Sequence, residues 1–309
     1  MPLWLSEEDV AALATPADAV PVIEACFLRM AAGDVELMPR RRFGVDGGYF
    51  AVMAAADRGI GVAGLKSYTL VEGRLAFVVC LFDLASGELA ATIAADRLGQ
   101  IRTGAASGVA AKHLARAGAR SVGLFGAGWQ AASQLAAIRA AVPGIDRVVV
   151  SSRTRERAEA FARANGAEAA ETPSDAGACD IVVTVTTASD PVLRGDWLRE
   201  GALVIAVGAN DARKRELDAQ VIPRAQFVCC DSLEDAKLES GDLIEPVATG
   251  ALDWLEVHEL HEVVAGEVAG RQAESDIVVF KSNGIAPWDI ALAHELVRRA
   301  RERGVGRDL

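Results

Sequence analysis

Histidine is scarce in this chain, four among 309 residues. The stretch His258-Glu259-Leu260-His261 lacks the i, i+4 histidine pair of a zinc-protease helix, and it reads as a solvated helix. His113 and His294 fall in helical patterns and read as surface or interface residues. No metal site is expected. Cysteine is sparse too. Cys26, Cys80, Cys179, Cys229 and Cys230 are odd in number, irregularly spaced and mostly inside apolar runs. That excludes a disulfide framework and a zinc cluster, and it points to buried, reduced thiols in the cytoplasm. No apolar run is long enough to cross a membrane, and MPLWLSEEDV has no basic segment ahead of an apolar one, so neither a span nor a signal peptide is expected. Positive charge is in deficit, with a net charge of −11. Such a surface repels a phosphate backbone and excludes nucleic acid as a partner, while leaving room for a local basic pocket.

What the chain has is apolar residue, 51% of the total, enough for a large core without staples. Residues 1–35 read as helical, with Ser6 as an N-cap and a second periodic run from Ala17 to Ala31. Residues 48–93 read as a mostly antiparallel sheet: short apolar runs such as YFAVMAA and LAFVVCLFD are broken by turns at Glu72-Gly73 and Ser86-Gly87. An Ala-rich helix follows from Asp96 to Arg116. At Gly118 the rhythm changes. SVGLFG, RVVVSS, IVVTVTT, ALVIAVG and QFVCC alternate with helical segments, the pattern of βαβ units around a parallel sheet covered on both faces. DIVVFKS reads as a further strand and Pro287 to Arg301 as a last amphipathic helix. The predicted fold is α/β: a doubly wound Rossmann domain over 118–285, and an α+β substrate-binding and dimerisation domain from 1–117 plus 286–309.

Gly126-Ala127-Gly128-Trp129-Gln130-Ala131 carries G-x-G-x-x-A between an apolar strand and a helix, with a second strand next. That context gives the motif its meaning. Gly126 permits a tight turn, Gly128 lets the backbone approach a pyrophosphate, and Ala131 allows close helix–strand packing, while the helix N-terminus holds the negative charge. The second strand ends in Ser151-Ser152-Arg153-Thr154 without the acid that NAD-binding domains use for the ribose. Arg153 and its hydroxyl neighbours Ser152 and Thr154 suit a 2′-phosphate, so NADP(H) is the expected cofactor and NAD(H) the alternative.

Outside that domain, Arg40, Arg41 and Arg42 follow Pro39, Lys66 ends an apolar run from Gly59, and Arg102 lies in IRTGAAS. A lysine in such a run is partly buried, which lowers its pKa and makes it a usable proton donor or acceptor.

Over essentially its whole length the chain resembles the ornithine cyclodeaminase/mu-crystallin family. The residues that carry the resemblance are GLKSYT around Lys66, IRTGAAS (101–107), GLFGAGWQA (123–131), VVVSSRT (148–154), AVGAN with KRELD (206–218) and FKSNGIAPWDIALA (280–293). The resemblance implies a homodimer, in which the N-terminal portion pairs across the two-fold and the last helix returns to that portion. It also implies hydride transfer at the α-carbon of a small amino or imino acid. Arg102 and an arginine after Pro39, Arg41 by its P-x-R spacing or else Arg40, would hold the substrate carboxylate. Lys66 would contact the carboxylate or the reacting nitrogen, and Met53 would line the substrate. Thr103, Thr186, Thr187, Val207, Lys281 and Asn283, with the glycine loop, would surround the cofactor.

Two departures narrow the activity. Cyclodeaminases of the family place an acid where this chain has Asn210, and those acting on diamino acids carry a glutamate near Ala51 or Met53, where none stands. An ammonium on the substrate side chain would be buried unpaired, and Asn210 offers hydrogen bonds but no general base. The sequence therefore predicts an NAD(P)H-dependent imine or ketimine reductase, reversible as an amino-acid dehydrogenase, with Lys66 and Asn210 at the reacting centre. A cyclodeaminase is the alternative within the family. A binding protein that holds NADPH without turnover is the alternative outside catalysis.

Overall fold

The computed structural model describes residues Met1–Leu309, and they divide into two units, Met1–Ala106 with Ile285–Leu309 and Ser107–Gly284. The division falls inside a helix, before the Gly118 boundary expected from the sequence.

The first unit is built on one mixed sheet. Strands β1 (Leu3–Leu5), β2 (Val35–Val45), β3 (Gly48–Asp57), β4 (Val62–Val71), β5 (Arg74–Asp83), β6 (Leu89–Ala94) and β15 (Arg307–Asp308) run in the order β15-β1-β6-β5-β4-β3-β2. From β2 to β6 each strand pairs antiparallel with the next, and β1 joins β6 in parallel. Helices α1 (Glu7–Leu13) and α2 (Pro16–Ala31) open on capping boxes, Ser6 with Asp9 and Thr15 with Asp18. Helix α3 (Asp96–Leu114) is capped from a distance: the Glu7 carboxylate accepts from the Asp96 and Arg97 N–H groups, each at 2.8 Å. Helix α11 (Ala286–Arg303) packs on β3, β4 and α2, with Trp288 edge-on to Phe27 at 5.5 Å.

The register sorts the side chains of this sheet between two faces. Ala51, Met53, Lys66, Val79 and Leu81 share the face that α11 covers, and all are buried. The opposite face carries Phe43, Val45 and Phe82, which are exposed, with Phe50, Val52, Leu65 and Val78 half-buried among them.

Two local expectations differ from the structure. Residues 1–35 are not helical throughout, because Leu3–Leu5 adds a strand to the sheet edge. The sheet also begins at Val35, ahead of the predicted residue 48. Pro39 and the three arginines conceal β2 because they sit at a bulge: Met38 pairs with Ala54 and Arg41 with Val52, so Pro39 and Arg40 together face Met53.

The second unit is an eight-stranded, fully parallel sheet. Its strands are β7 (Ser121–Phe125), β8 (Arg147–Ser151), β9 (Glu168–Ala169), β10 (Ile181–Thr184), β11 (Leu203–Ala206), β12 (Phe227–Cys230), β13 (Val257–Glu259) and β14 (Val278–Lys281), in the order β13-β12-β14-β11-β10-β7-β8-β9. Helices α4 (Trp129–Ala141), α5 (Arg155–Asn165), α6 (Pro173–Gly177), α7 (Val221–Arg224), α8 (Leu233–Glu239), α9 (Gly241–Ala248) and α10 (Leu260–Val264) lie between the strands in the chain. The central strands are buried along nearly their whole length, which is why they read as uninterrupted apolar runs. Packing is close enough that a Cβ on Gly123 would stand 1.8 Å from the Ala176 carbonyl oxygen. Strand order reverses between β7 and β10, the switch point at which such sheets open a crevice beyond their carboxyl ends. No single helix of the chain is long and apolar enough to cross a membrane.

Candidate active site

In the first unit three distant segments deliver charge to one place. Strand β4 presents Lys66 between Met53 of β3 and Val79 of β5, α3 presents Arg102, and α11 presents Asp289. Lys66 Nζ donates to Asp289 Oδ1 at 3.0 Å and Arg102 Nε to the same oxygen at 3.1 Å. Lys66 and Arg102 are 4% and 6% exposed, and Asp289 is fully buried. The Phe77 ring lies 5.3 Å from Nζ, and the Trp288 ring 5.7 Å from the Arg102 guanidinium. Helix α3 approaches so closely that a Cβ on Gly99 would stand 2.9 Å from Nζ.

Burial pushes the Lys66 pKa down to about 8. The Asp289 carboxylate opposes that fall, while Arg102 and Arg40 add to it. Two cations on one carboxylate leave a surplus of positive charge in a water-poor setting, and a small carboxylate is a suitable guest for it.

The arginine after Pro39 that belongs to this cluster is Arg40. Arg41, favoured by its spacing, is exposed and shares the opposite sheet face with Val52. The cause is the β2 bulge, which places Arg40 on the Met53 side: Arg40 is 6% exposed and its guanidinium donates to Met53 Sδ at 3.8 Å. Asp289 was not singled out from the sequence, although its signal is the one that marked Lys66, a charge inside an apolar stretch.

In the second unit the glycine loop has the geometry its motif requires. Gly126 adopts φ +118°, and a Cβ there would stand 2.5 Å from the Val185 carbonyl oxygen. Gly128 caps α4 without a side-chain hydrogen bond, and a Cβ on it would meet nothing within 4 Å. Gly128 thus leaves space at the N-terminus of a thirteen-residue helix, the kind of end that suits an anionic group. Ala127 is half-buried and Trp129 is 51% exposed. Gln130 Oε1 is buried without a hydrogen-bond partner, and Ala131 is buried. After β8, Ser152 is half-buried while Arg153 and Thr154 are exposed.

A buried acid that sequence reasoning passed over organises the neighbouring loops. The Glu216 carboxylate accepts from Thr184 Oγ1, Thr186 N, Thr186 Oγ1, Gly208 N and Ala209 N at 2.7–3.2 Å. It ties the chain leaving β10 to the chain leaving β11, and so fixes the expected residues Thr186 and Val207. Thr187 and Asn210, just beyond the tie, are exposed. Thr103 donates its hydroxyl proton to Gly99 O within α3, at 2.7 Å.

Lys281 is corrected by the structure. It is fully buried, pairs with Asp242 at 3.2 Å and donates to Ala209 O at 2.5 Å, so its ammonium holds the β11 loop and presents no surface to a cofactor. Asn283 donates its backbone N–H to Asp231 Oδ2 at 2.8 Å, beside Ser282 Oγ and Gly284 N on the same oxygen. Burial raises the Asp231 pKa against those three bonds.

The model of the ornithine cyclodeaminase/mu-crystallin family matches residues 2–304. The chain belongs to this family. Within it, a Delta(1)-pyrroline-2-carboxylate reductase of Bacillus cereus is 38% identical over 273 residues, 82% of each chain. A solved structure of the Thermococcus litoralis Delta(1)-pyrroline-2-carboxylate reductase, in complex with NADH and L-proline, has a TM-score of 0.93 at 30% identity, covering 99% of this chain and 100% of that one. An archaeal alanine dehydrogenase dimer with bound NAD also has a TM-score of 0.93 at 30% identity, covering 100% of this chain and 98% of that one.

The open ground at Gly128 makes the family member's cofactor loop testable apart from its stability. Gly128→Ala should leave the melting temperature nearly unchanged, because the added methyl meets no protein atom within 4 Å. Dinucleotide affinity should fall at least about tenfold, the effect of losing roughly 1.4 kcal/mol of phosphate contact. A fluorescence titration beside a thermal melt reads both, and undiminished affinity would remove the loop from the cofactor site.

Proposed function

We propose that this family member is an NAD(P)H-dependent reductase of a small α-imino acid or cyclic ketimine, reversible as an amino-acid dehydrogenase. The buried Lys66–Asp289–Arg102 cluster carries the reading. In it the first unit holds the substrate and the second the dinucleotide, which supplies hydride to the imine carbon. Arg102 and Arg40 take the substrate carboxylate. Lys66 gives its proton to the imine nitrogen, leaving the amine product, and regains a proton from water. A lysine with a pKa of about 8 is largely charged at neutral pH yet gives up its proton readily.

Asn210 supports reduction over cyclodeamination. That reaction needs the distal ammonium of a diamino acid to be paired and then deprotonated, and neither Asn210 nor Met53 has a carboxylate for it. A proton donor within a cationic pocket supports turnover over simple ligand storage. Five unbridged cysteines fit a reducing compartment, the cytoplasm.

The test is to mix the protein with Δ1-pyrroline-2-carboxylate and NADPH and follow cofactor oxidation and proline formation. Turnover should fade as pH rises through about 8, where Lys66 loses its proton. Lys66→Ala should slow it at least about a hundredfold with dinucleotide binding intact. Ornithine with oxidised cofactor should yield no proline. Proline from ornithine at ordinary turnover rates would replace the reductase with a cyclodeaminase, and dinucleotide binding without reduction of any imino acid would leave a binding protein.

The preferred cofactor in this reading is NADP(H). Arg153 is exposed at the end of β8 and enters no ion pair, so it is available to a 2′-phosphate, and no acid stands beside it to repel one. NADPH should bind more tightly than NADH, and Arg153→Asp should reverse the order. Equal affinities of the native protein for the two cofactors would sink this preference.

The partner in this reading is a second copy of the chain. The sheet face bearing Phe43, Val45, Phe50, Val52, Leu65 and Phe82 is apolar and uncovered within the chain, as expected of a surface that pairs across a two-fold. Sedimentation equilibrium should give twice the 32.4 kDa chain mass, and Phe43→Asp with Phe82→Asp should shift it toward the single-chain value. A native protein sedimenting at 32.4 kDa would exclude the dimer.

A further inference from the structure

We propose that Asp289 is the positioning residue of the substrate site, fixing the direction of Lys66 and Arg102 and keeping Lys66 charged until substrate arrives; this rests on the reductase reading above. Both cations reach the same atom, Oδ1, at 3.0 and 3.1 Å. Their head groups are thereby held within two hydrogen-bond lengths of each other, the reach needed to grip the carboxylate and the nitrogen of one α-imino acid.

The other oxygen marks this ion pair as more than structural glue. Asp289 Oδ2 is buried without a hydrogen-bond partner, and so is Nε1 of the adjacent Trp288. A carboxylate kept fully desolvated with one oxygen idle is a poor way to join two helices and a strand, since apolar residues of similar volume do so with less loss of stability. Its retention beside a lysine that must carry a proton has a chemical reason.

The groups facing Lys66 can be named element by element. Helix α11 brings Asp289, α3 brings Arg102 and Asp96, and β2 brings Arg40. The neighbours from β3 and β5 are Met53, Val79 and Phe77, none of which titrates. Burial drives the proton off Lys66, both arginines assist, and the Asp289 charge and hydrogen bond are the chief forces holding it on. Without that charge the Lys66 pKa falls further below about 8, and at neutral pH a smaller share of the lysine carries the proton it has to give.

The experiment is the pH profile of kcat/KM for reduction of Δ1-pyrroline-2-carboxylate, which reports the free enzyme's essential acid. In Asp289→Asn the high-pH limb should move down by about one pH unit or more, as expected for removing an opposite charge in contact, while NADPH affinity stays at the native value. A folded Asp289→Asn protein with the limb in its native place overturns the proposal. Asp289→Glu covers the case in which the asparagine variant does not fold. It keeps the charge but displaces it, so the limb should stay and kcat fall at least about tenfold; an unchanged kcat counts against positioning. Calorimetric binding of pyrrole-2-carboxylate, a planar carboxylate that is not reduced, gives the same limb without turnover. If native protein reduces no imino acid while this binding limb moves in Asp289→Asn, the reductase reading fails and the role of Asp289 stands. If reduction occurs and neither limb moves, the reverse holds.

Discussion

A charge taken out of water must be matched nearly on contact, and this protein accepts that constraint at several buried acids. Asp289 answers two cations in the first unit. In the second, Glu216 answers a set of backbone and hydroxyl donors, Asp231 gathers the chain after β14, and Asp242 meets Lys281 and the Glu216 and Leu217 N–H groups. Each of these acids joins segments far apart in sequence. Three of them hold the chain at the carboxyl ends of parallel strands, where loops need external anchors because they have no ladder of their own. The loops at the carboxyl ends of the parallel strands are therefore held by buried side chains.

A second local device shapes the mixed sheet. Strict alternation from Met38 would turn Arg41, not Arg40, toward the face that holds Lys66. One extra residue in β2 changes which arginine turns inward, and the proline is tolerated because a bulge is where a strand can dispense with a ladder donor. The place of Arg40 in the buried cationic cluster thus rests on a local fault in regular structure, one residue from where a spacing rule would look.

What was legible in the sequence follows from this contrast. The parallel sheet could be read because strands covered on both faces leave long apolar runs, and because Gly126 and Gly128 are demanded by backbone geometry that no other residue supplies as well. Lys66 and Arg102 stood out as charges among apolar neighbours. Strand β2 stayed hidden because pattern rules assume unbroken alternation. The P-x-R spacing favours Arg41 over Arg40 because a spacing count takes no account of the bulge. Lys281 looked like a cofactor contact because its motif borders the site, yet burial turned it toward Asp242. Glu216 and Asp289 escaped notice because an acid in a helix or loop is normally solvated, and only the fold reveals which ones are enclosed.

The placement of Asp289 on α11 has a consequence for how the molecule is made. The ribosome delivers the whole parallel sheet, Ser107–Gly284, before the segment Ile285–Leu309 that completes the first unit. Lys66 and Arg102 are thus synthesised long before the carboxylate that will neutralise them, and for that interval the first unit carries two cations with no acid to bury them against. Order of synthesis therefore makes the first unit the last to close, and a chain released without residues 285–309 would hold every strand of the parallel sheet while its other half-sheet stays open and charged.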